Sequence, residues 1–132
     1  MTKLAEQEAT PLTFDLDEPV PAPAPQFPSQ YIVQIQGNPF VKFAGLLALA
    51  YERGLQGLSA DWTYNDSALS LAHAVAVFPF GRFEESGDAS PENVTKKVAP
   101  HFRRVALTRA KSRVLRDALN IDMVAVEELG DE

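Results

Sequence analysis

Proline restricts what this chain can fold into more than any other residue type. Six of the ten prolines lie between positions 11 and 28, and residues 19–25 carry one at every second position. Proline fixes φ and lacks a backbone N–H, so neither a helix nor a sheet ladder continues through such a run. Acidic side chains lie nearby. We therefore expect residues 1–29 to form a disordered acidic leader and residues 30–132 to form one folded domain.

Three apolar residues stand out within the leader. Leu12, Phe14 and Leu16 alternate with polar residues. This period of two is typical of a strand, so a short docking strand is the alternative to plain disorder at this point.

The remainder of the chain predicts an α+β domain. We expect a small antiparallel sheet of three to four strands, packed by one short and one long helix. Proline and glycine mark the turns, including 37–39 and 87–91. The expected elements are a strand at 31–35, a helix at 40–53, strands at 58–64, 69–80 and 82–86, a short helix at 90–98, a long helix at 100–119, and an edge strand or loosely packed segment at 123–129.

The long helix carries two distinct faces. Its apolar face holds mostly small side chains, which allow close approach to a sheet. This face consists of Ala106, Leu107, Ala110, Val114 and Ala118. Arg109, Arg113 and Arg116 recur at i, i+4 and i+7 on another side, where guanidinium groups could bind phosphate oxygens.

The charge is strongly segregated along the chain. The net charge is −6, yet residues 94–116 contain no Asp or Glu. Eight of the 12 basic residues lie there, which leaves four bases and 18 acids elsewhere. The eight are Lys96, Lys97, Arg103, Arg104, Arg109, Lys111, Arg113 and Arg116. Such segregation favours an anionic partner for one surface, although a solvated basic helix is an equally common use of this pattern.

Aromatic residues would complete a surface for single-stranded nucleic acid, where bases stack on exposed rings. Most strand aromatics pack in cores. Phe102 shares the basic part of the long helix and Tyr64 lies beside a turn, so we expect these two to be exposed.

Enzymatic signals are absent from the sequence. The chain has no cysteine, and its two histidines, His73 and His101, are far apart, so thiol chemistry and the usual zinc sites are excluded. No phosphate-binding loop, HExxH or GxSxG motif occurs. Glu84 and Glu85, with Asp88 and Glu92, could hold Mg²⁺, but a solvated acidic turn is the commoner use of such a cluster. We expect a non-enzymatic protein without cofactors or a membrane span, located in the cytoplasm.

Two segments of the sequence resemble a known group of proteins. They are residues 87–94, with Gly87-Asp88-Ala89 and Asn93-Val94, and residues 106–118, which read ALTRAKSRVLRDA. Together with the element order over residues 31–120, they resemble single-strand annealing proteins of the phage Erf and Redβ type and the Rad fifty-two superfamily. The resemblance implies a helix-braced sheet, self-assembly into rings or filaments, and single-stranded DNA bound in a basic groove, with Arg109 and Arg113 as positions to test.

Two other functions remain open at this stage. The basic helix could dock on an acidic protein or on the acidic leader, as in a small protein-interaction module. The order helix, three strands, helix also resembles the double-stranded RNA-binding fold, in which a basic patch begins the last helix.

Overall fold

The computed structural model describes residues 27–130. Residues 1–26 of the predicted leader lie outside this range. Phe27, at the start of the described chain, is buried in the hydrophobic core. A 3₁₀ turn over Ser29–Tyr31 then leads into the first strand.

A β-hairpin opens the fold. Strand β1 (Ile32–Ile35) pairs antiparallel with β2 (Asn38–Val41). Gln36 and Gly37 form the two-residue turn with φ of 50° and 82°, the positive values that favoured hairpin turns require. The turn predicted over 37–39 is confirmed at Gly37 but lies one residue earlier than predicted, at Gln36 and Gly37. Asn38 and Pro39 belong to β2, and Pro39 is tolerated there because both strands of a two-stranded sheet are edges.

Helix α1 (Phe43–Glu52) follows the hairpin and begins three residues later than predicted. Its first N–H, at Phe43, donates to Glu127 Oε1 at 2.8 Å. Gly54, with φ of 92°, reverses the chain after the helix, as predicted for a C-terminal glycine.

The predicted three-stranded meander is confirmed. Strands β3 (Gly57–Asn65), β4 (Ser70–Phe78) and β5 (Gly81–Ala89) form an antiparallel sheet in that order. The pairing of β3 with β4 shifts at a bulge between Trp62 and Tyr64. Strand β5 continues through Gly87 to Ala89, so the pattern break predicted at residue 87 was wrong.

The long helix α2 (Phe102–Leu119) packs on one face of this sheet. A methyl group at Gly87 would lie 2.4 Å from the backbone N of Ala110 and 2.5 Å from the backbone O of Ala106. Strand and helix backbones therefore touch at this glycine, and small residues on both elements permit the contact. Asn120 ends α2 in the left-handed conformation, with φ of 57°.

The connections to either side of α2 differ from the predictions. Residues 90–98 form turns rather than a short helix, and a 3₁₀ turn (Ala99–His101) leads into α2. After α2, Ala125 pairs with Val41 in one parallel bridge, and a 3₁₀ turn (Val126–Leu129) follows instead of an edge strand. This final turn brings acidic side chains against α1 and α2.

Candidate nucleic-acid interface

Arg109, predicted to lie on an accessible basic face, is buried and only 7% exposed. Its Nε donates to the carbonyl of Glu128 at 2.7 Å, and its Nη1 donates to the carbonyl of Asp88 at 2.8 Å. Asn93 accepts two further bonds, at 2.9 Å to its side-chain oxygen and 3.0 Å to its carbonyl. Arg109 therefore fastens β5, the 90–98 turns and the C-terminal turn to α2. Burial lowers the pKa of Arg109, and the charges of Asp88 and Glu128 oppose that shift.

Arg113 and Arg116 surround a single buried carboxylate, that of Glu128. Arg116 Nε lies 3.0 Å from Glu128 Oε2, and Arg113 Nε lies 3.5 Å from Oε1. Arg113 also donates to the carbonyl of Ser86 at 3.2 Å. Glu128 accepts a further bond from the N–H of Ala125 at 3.0 Å. The three arginines of the i, i+4, i+7 pattern thus form one internal network, which we call the arginine network (Arg109, Arg113, Arg116).

The prediction that Phe102 is exposed was wrong. It is only 3% exposed, and the guanidinium of Arg103 lies 4.9 Å from the centre of its ring. Tyr64 is 50% exposed, as predicted, and Trp62 is 44% exposed although strand aromatics were expected to be core. The bulge in β3 separates these two residues and ends the regular alternation there.

Trp62 and Tyr64 are held beside the start of α2. Trp62 Nε1 donates to the carbonyl of Arg103 at 3.0 Å, and Arg103 Nη2 donates to the carbonyl of Asp66 at 3.0 Å. The hydroxyl of Tyr64 donates to the carboxylate of Asp66. This hydrogen bond raises the pKa of Tyr64 and is the largest cause of the lowered pKa of Asp66. Two exposed rings therefore keep fixed positions next to a guanidinium group.

A groove runs along α2 beside α1. Arg104, Thr108 and Lys111 line it at i, i+4 and i+7, opposite Phe43 and Leu47 of α1, around a cavity of about 630 Å³. A second cavity of about 350 Å³ shares Lys111, Phe43 and Leu47 and extends to Tyr51 and Leu58. We call these two adjoining cavities the α2 groove; it combines apolar walls with two basic side chains.

The remaining predicted cations lie at or before the start of α2. Lys96 and Lys97 are exposed in the turns that precede it, and Arg103 and Arg104 lie in its first turn. Within residues 27–130, neither these four nor Lys111 forms an ion pair with Asp or Glu. Five of the eight predicted cations therefore lack a carboxylate partner in this range, although Arg103 already donates to the carbonyl of Asp66. Arg113 and Arg116, in contrast, pair with Glu128, and Arg109 is held by four hydrogen bonds.

The acidic cluster and histidines show no sign of a metal site. His73 Nε2 lies 2.7 Å from Glu84 Oε1, and Arg82 pairs with the same carboxylate. In the part of the chain that the structure describes, no group of three or more His, Asp or Glu residues could hold a metal ion. Neither described helix is long and apolar enough to cross a membrane.

Sequence reasoning missed Glu128, and it singled out Asn93 only within a segment of the resemblance, not as an acceptor for Arg109. Both are distant from α2 in sequence, by 16 residues in the case of Asn93 and Arg109, and no local pattern identifies them. Comparisons of the chain with protein-family models, with curated proteins and with solved structures find no match. Function is accordingly inferred from the residues and their geometry.

Proposed function

We propose that this protein binds single-stranded DNA along the N-terminal half of α2 and the α2 groove. The observation that carries the proposal is the division of the basic residues into an engaged set and an available set. The available set is Lys96, Lys97, Arg103, Arg104 and Lys111, none of which has a carboxylate partner among the described residues. Basic side chains bind the phosphates of single strands, and exposed rings stack the bases.

Each part of the surface has a role in this proposal. Arg104 and Lys111 contact phosphates from the floor of the groove. Trp62 and Tyr64 offer stacking surfaces at the end of α2 where Arg103 lies. A single strand suits this arrangement, because its bases are unpaired and reach rings that a duplex would keep from them.

The arginine network takes no direct part in binding under this proposal. Arg109 would have to leave four hydrogen bonds to reach a phosphate. Leaving three backbone carbonyls and the side-chain amide oxygen of Asn93 without this donor costs more than a phosphate contact returns. The network stabilises the fold that presents the groove.

Strand annealing and self-assembly extend the proposal. The resemblance of residues 87–94 and 106–118 to annealing proteins supports both. Strand β3 also supports assembly, because in the described chain its outer edge pairs with no strand over nine residues. An unpaired edge is a template for strand pairing between copies. We therefore expect homo-oligomers by light scattering and faster annealing of complementary oligonucleotides without added nucleotide; a monomer with no effect on annealing would remove this extension.

The first test measures binding to a labelled oligonucleotide by fluorescence anisotropy over a range of salt concentrations. Each phosphate contact on a single strand contributes ~0.7 to the slope of log K against log salt. The double variant Arg104→Ala/Lys111→Ala is expected to bind more weakly at low salt and to lose about 1.4 from that slope. Arg82→Ala is the matched control, because Arg82 pairs with Glu84 on strand β5, away from the groove.

The stacking contribution is tested separately with Trp62→Ala. The variant is expected to lose about 1–3 kcal/mol of binding free energy with little change in the salt slope, since stacking is not ionic. Phe80→Ala is the control, because Phe80 is an aromatic residue exposed to a similar degree, 55%, at the β4–β5 turn.

Three results would overturn the proposal. The first is the absence of any anisotropy change at low salt, which would favour a protein-docking module. The second is equal binding by the double variant and the wild type. The third is stronger binding to duplex RNA than to single strands, which would favour recognition of the double-stranded RNA-binding kind.

A further inference from the structure

The α2 groove has a composition that DNA alone does not explain. Phe43, Leu47 and Val126 give it apolar walls, and Arg104 and Lys111 add positive charge. Phosphate backbones do not use apolar walls of this kind. A peptide that alternates apolar and acidic residues would use both features.

Such a peptide occurs in this chain. Leu12, Phe14 and Leu16 alternate with polar residues, and Asp15 and Asp17 are among the latter. Residues 1–26 carry five acids and one base, whereas α2 and the turns before it carry the segregated positive charge. In an extended strand, alternate side chains point to opposite sides, so one side presents leucine and phenylalanine while the other presents carboxylates.

We propose that residues 12–18 of this chain dock in the α2 groove and compete there with single-stranded DNA. The proposal rests on the proposed function for its regulatory meaning, since the groove is the same site. Leu12, Phe14 and Leu16 pack against Phe43 and Leu47, and the carboxylates pair with Arg104 and Lys111.

The chain is long enough for this contact. Eight residues separate position 18 from Phe27, and the nine residue steps could span about 28 Å if the chain is extended at ~3.1 Å per residue. This exceeds twice the ~13 Å radius of gyration expected for a domain of about 100 residues. The described chain also starts near α1, because Tyr31 packs on Gly45, where a methyl group would lie 2.8 Å from Tyr31 Cβ.

Among residues 27–130, Glu127 is the acidic side chain that lines the groove. Its Oε1 accepts the N–H of Phe43 at 2.8 Å, at the positive end of the α1 dipole. That contact directs its charge toward the helix end, so the groove retains its attraction for a further carboxylate segment.

Photo-cross-linking of the full-length chain tests the docking directly. The chain has no cysteine, so Thr13→Cys provides a single site for a benzophenone maleimide. We expect cross-links to peptides of 43–47 or 104–111, identified by mass spectrometry, and their loss when Leu12, Phe14 and Leu16 are changed to serine. Thr2→Cys, labelled in the same way, is the control for random contact. Cross-links spread over the surface, or equal yields from the two labelled positions, would overturn the proposal.

Competition is tested with charge-matched variants. Asp15→Asn/Asp17→Asn is expected to bind the oligonucleotide about tenfold more tightly at low salt if the segment occupies the groove about nine-tenths of the time. Glu6→Gln/Glu8→Gln changes the net charge equally and is expected to have a smaller effect. Equal effects of the two pairs would show bulk charge rather than docking and would overturn the competition.

The two proposals fail in different ways. If no oligonucleotide binds but the cross-links form in the groove, the docking stands and the DNA-binding function falls. If the oligonucleotide binds and the cross-links do not form in the groove, the docking falls and the DNA-binding function stands.

Discussion

The two basic sides of α2 have the same spacing of residues but different surroundings: one is bound within the protein and the other faces a groove. Arg109, Arg113 and Arg116 follow an i, i+4, i+7 pattern, and Arg104, Thr108 and Lys111 follow the same pattern five residues earlier. A shift of five residues rotates the pattern by about 140° around an α-helix. One side therefore faces β5 and the C-terminal turn, whereas the other faces the groove beside α1.

The partners that each side meets create the difference. The arginine network meets Glu128, Asp88 and Asn93, which come from segments outside the helix. The groove side meets the apolar Phe43 and Leu47, and the carboxylate of Glu127 there accepts the N–H of Phe43 rather than pairing with Arg104 or Lys111. Basic periodicity alone thus identifies a charged helix, but the acceptors placed by the rest of the fold decide whether it binds a partner or the protein itself.

Arg109→Ala gives the largest expected effect and tests this comparison most severely. Removing the guanidinium takes away four hydrogen bonds that tie three segments to α2, and the carbonyl acceptors that stay shielded from water then lack a donor, so the expected loss is about 1–3 kcal/mol. Arg104→Ala, on the groove side, is expected to change the free energy of unfolding by less than about 0.5 kcal/mol. Urea denaturation followed by circular dichroism measures both. Similar values for the two variants would contradict the division into engaged and available sides.

Much of the fold could be predicted from the sequence because its signals are local. Asn120 marks the end of α2, Gly54 marks the end of α1, and a nearly continuous apolar run marks β4. Local signals failed where a distant contact decided the outcome. The residues around Gly87 are typical of a turn, but Gly87 lies within a strand. A glycine is needed there because the backbone of α2 approaches it too closely for a side chain.

The candidate site was predictable only in part, for the same reason. The acid-free run identified the helix that carries the proposed site and the five cations that lack a carboxylate partner among the described residues. The burial of Phe102 and Arg109 depends on which face of the helix meets the sheet and the C-terminal turn. Phe102 was expected to be exposed and is buried, whereas Trp62 was expected to be buried and is exposed. The β3 bulge and the approach of α2 to the sheet cause these differences, and no local sequence pattern predicts either of them.

An intermediate effect is expected from a carboxylate pair at the edge of the arginine network. Burial raises the pKa of Asp117, and a hydrogen bond with Glu85 adds to that shift. Folding therefore favours the neutral form of the Asp117 side chain. The stability gained from this preference is fully present below the ordinary pKa of Asp, ~3.9, and is lost as the pH rises through the higher pKa of the folded state. Asp117→Asn keeps a donor for Glu85 without the charge.

The Asp117→Asn variant is accordingly expected to be more stable than the wild type at pH 7. Because Asp117 is exposed, the gain is below about 1 kcal/mol. It is expected to shrink as the pH falls below about 4, where the wild-type side chain is protonated in both states. Thermal denaturation at pH 7 and pH 3.5 measures the difference. A variant less stable than the wild type at pH 7 would show that the Asp117 carboxylate stabilises the fold through its attraction to Arg116 rather than destabilising it.

The smallest expected effect lies at the groove end of α2, where the carboxylate of Asp66 is fully exposed. The hydroxyl of Tyr64 lowers its pKa most, and the N–H groups of Ala68 and Leu69, each 2.8 Å from Oδ1, lower it further. A lowered folded pKa contributes stability above the ordinary value of ~3.9, and that contribution is lost as the pH falls through the folded value.

We expect the amide NMR signals of Ala68 and Leu69 to titrate with a midpoint below that of an unstructured Asp. Asp66→Asn is expected to retain an acceptor for both amides and to abolish their titration, whereas Asp66→Ala is expected to loosen the turn and to weaken the position of Tyr64. A midpoint at or above the unstructured value would show that the Tyr64 contact is not maintained in solution, and the exposed end of α2 would then offer only Trp62 as a fixed ring.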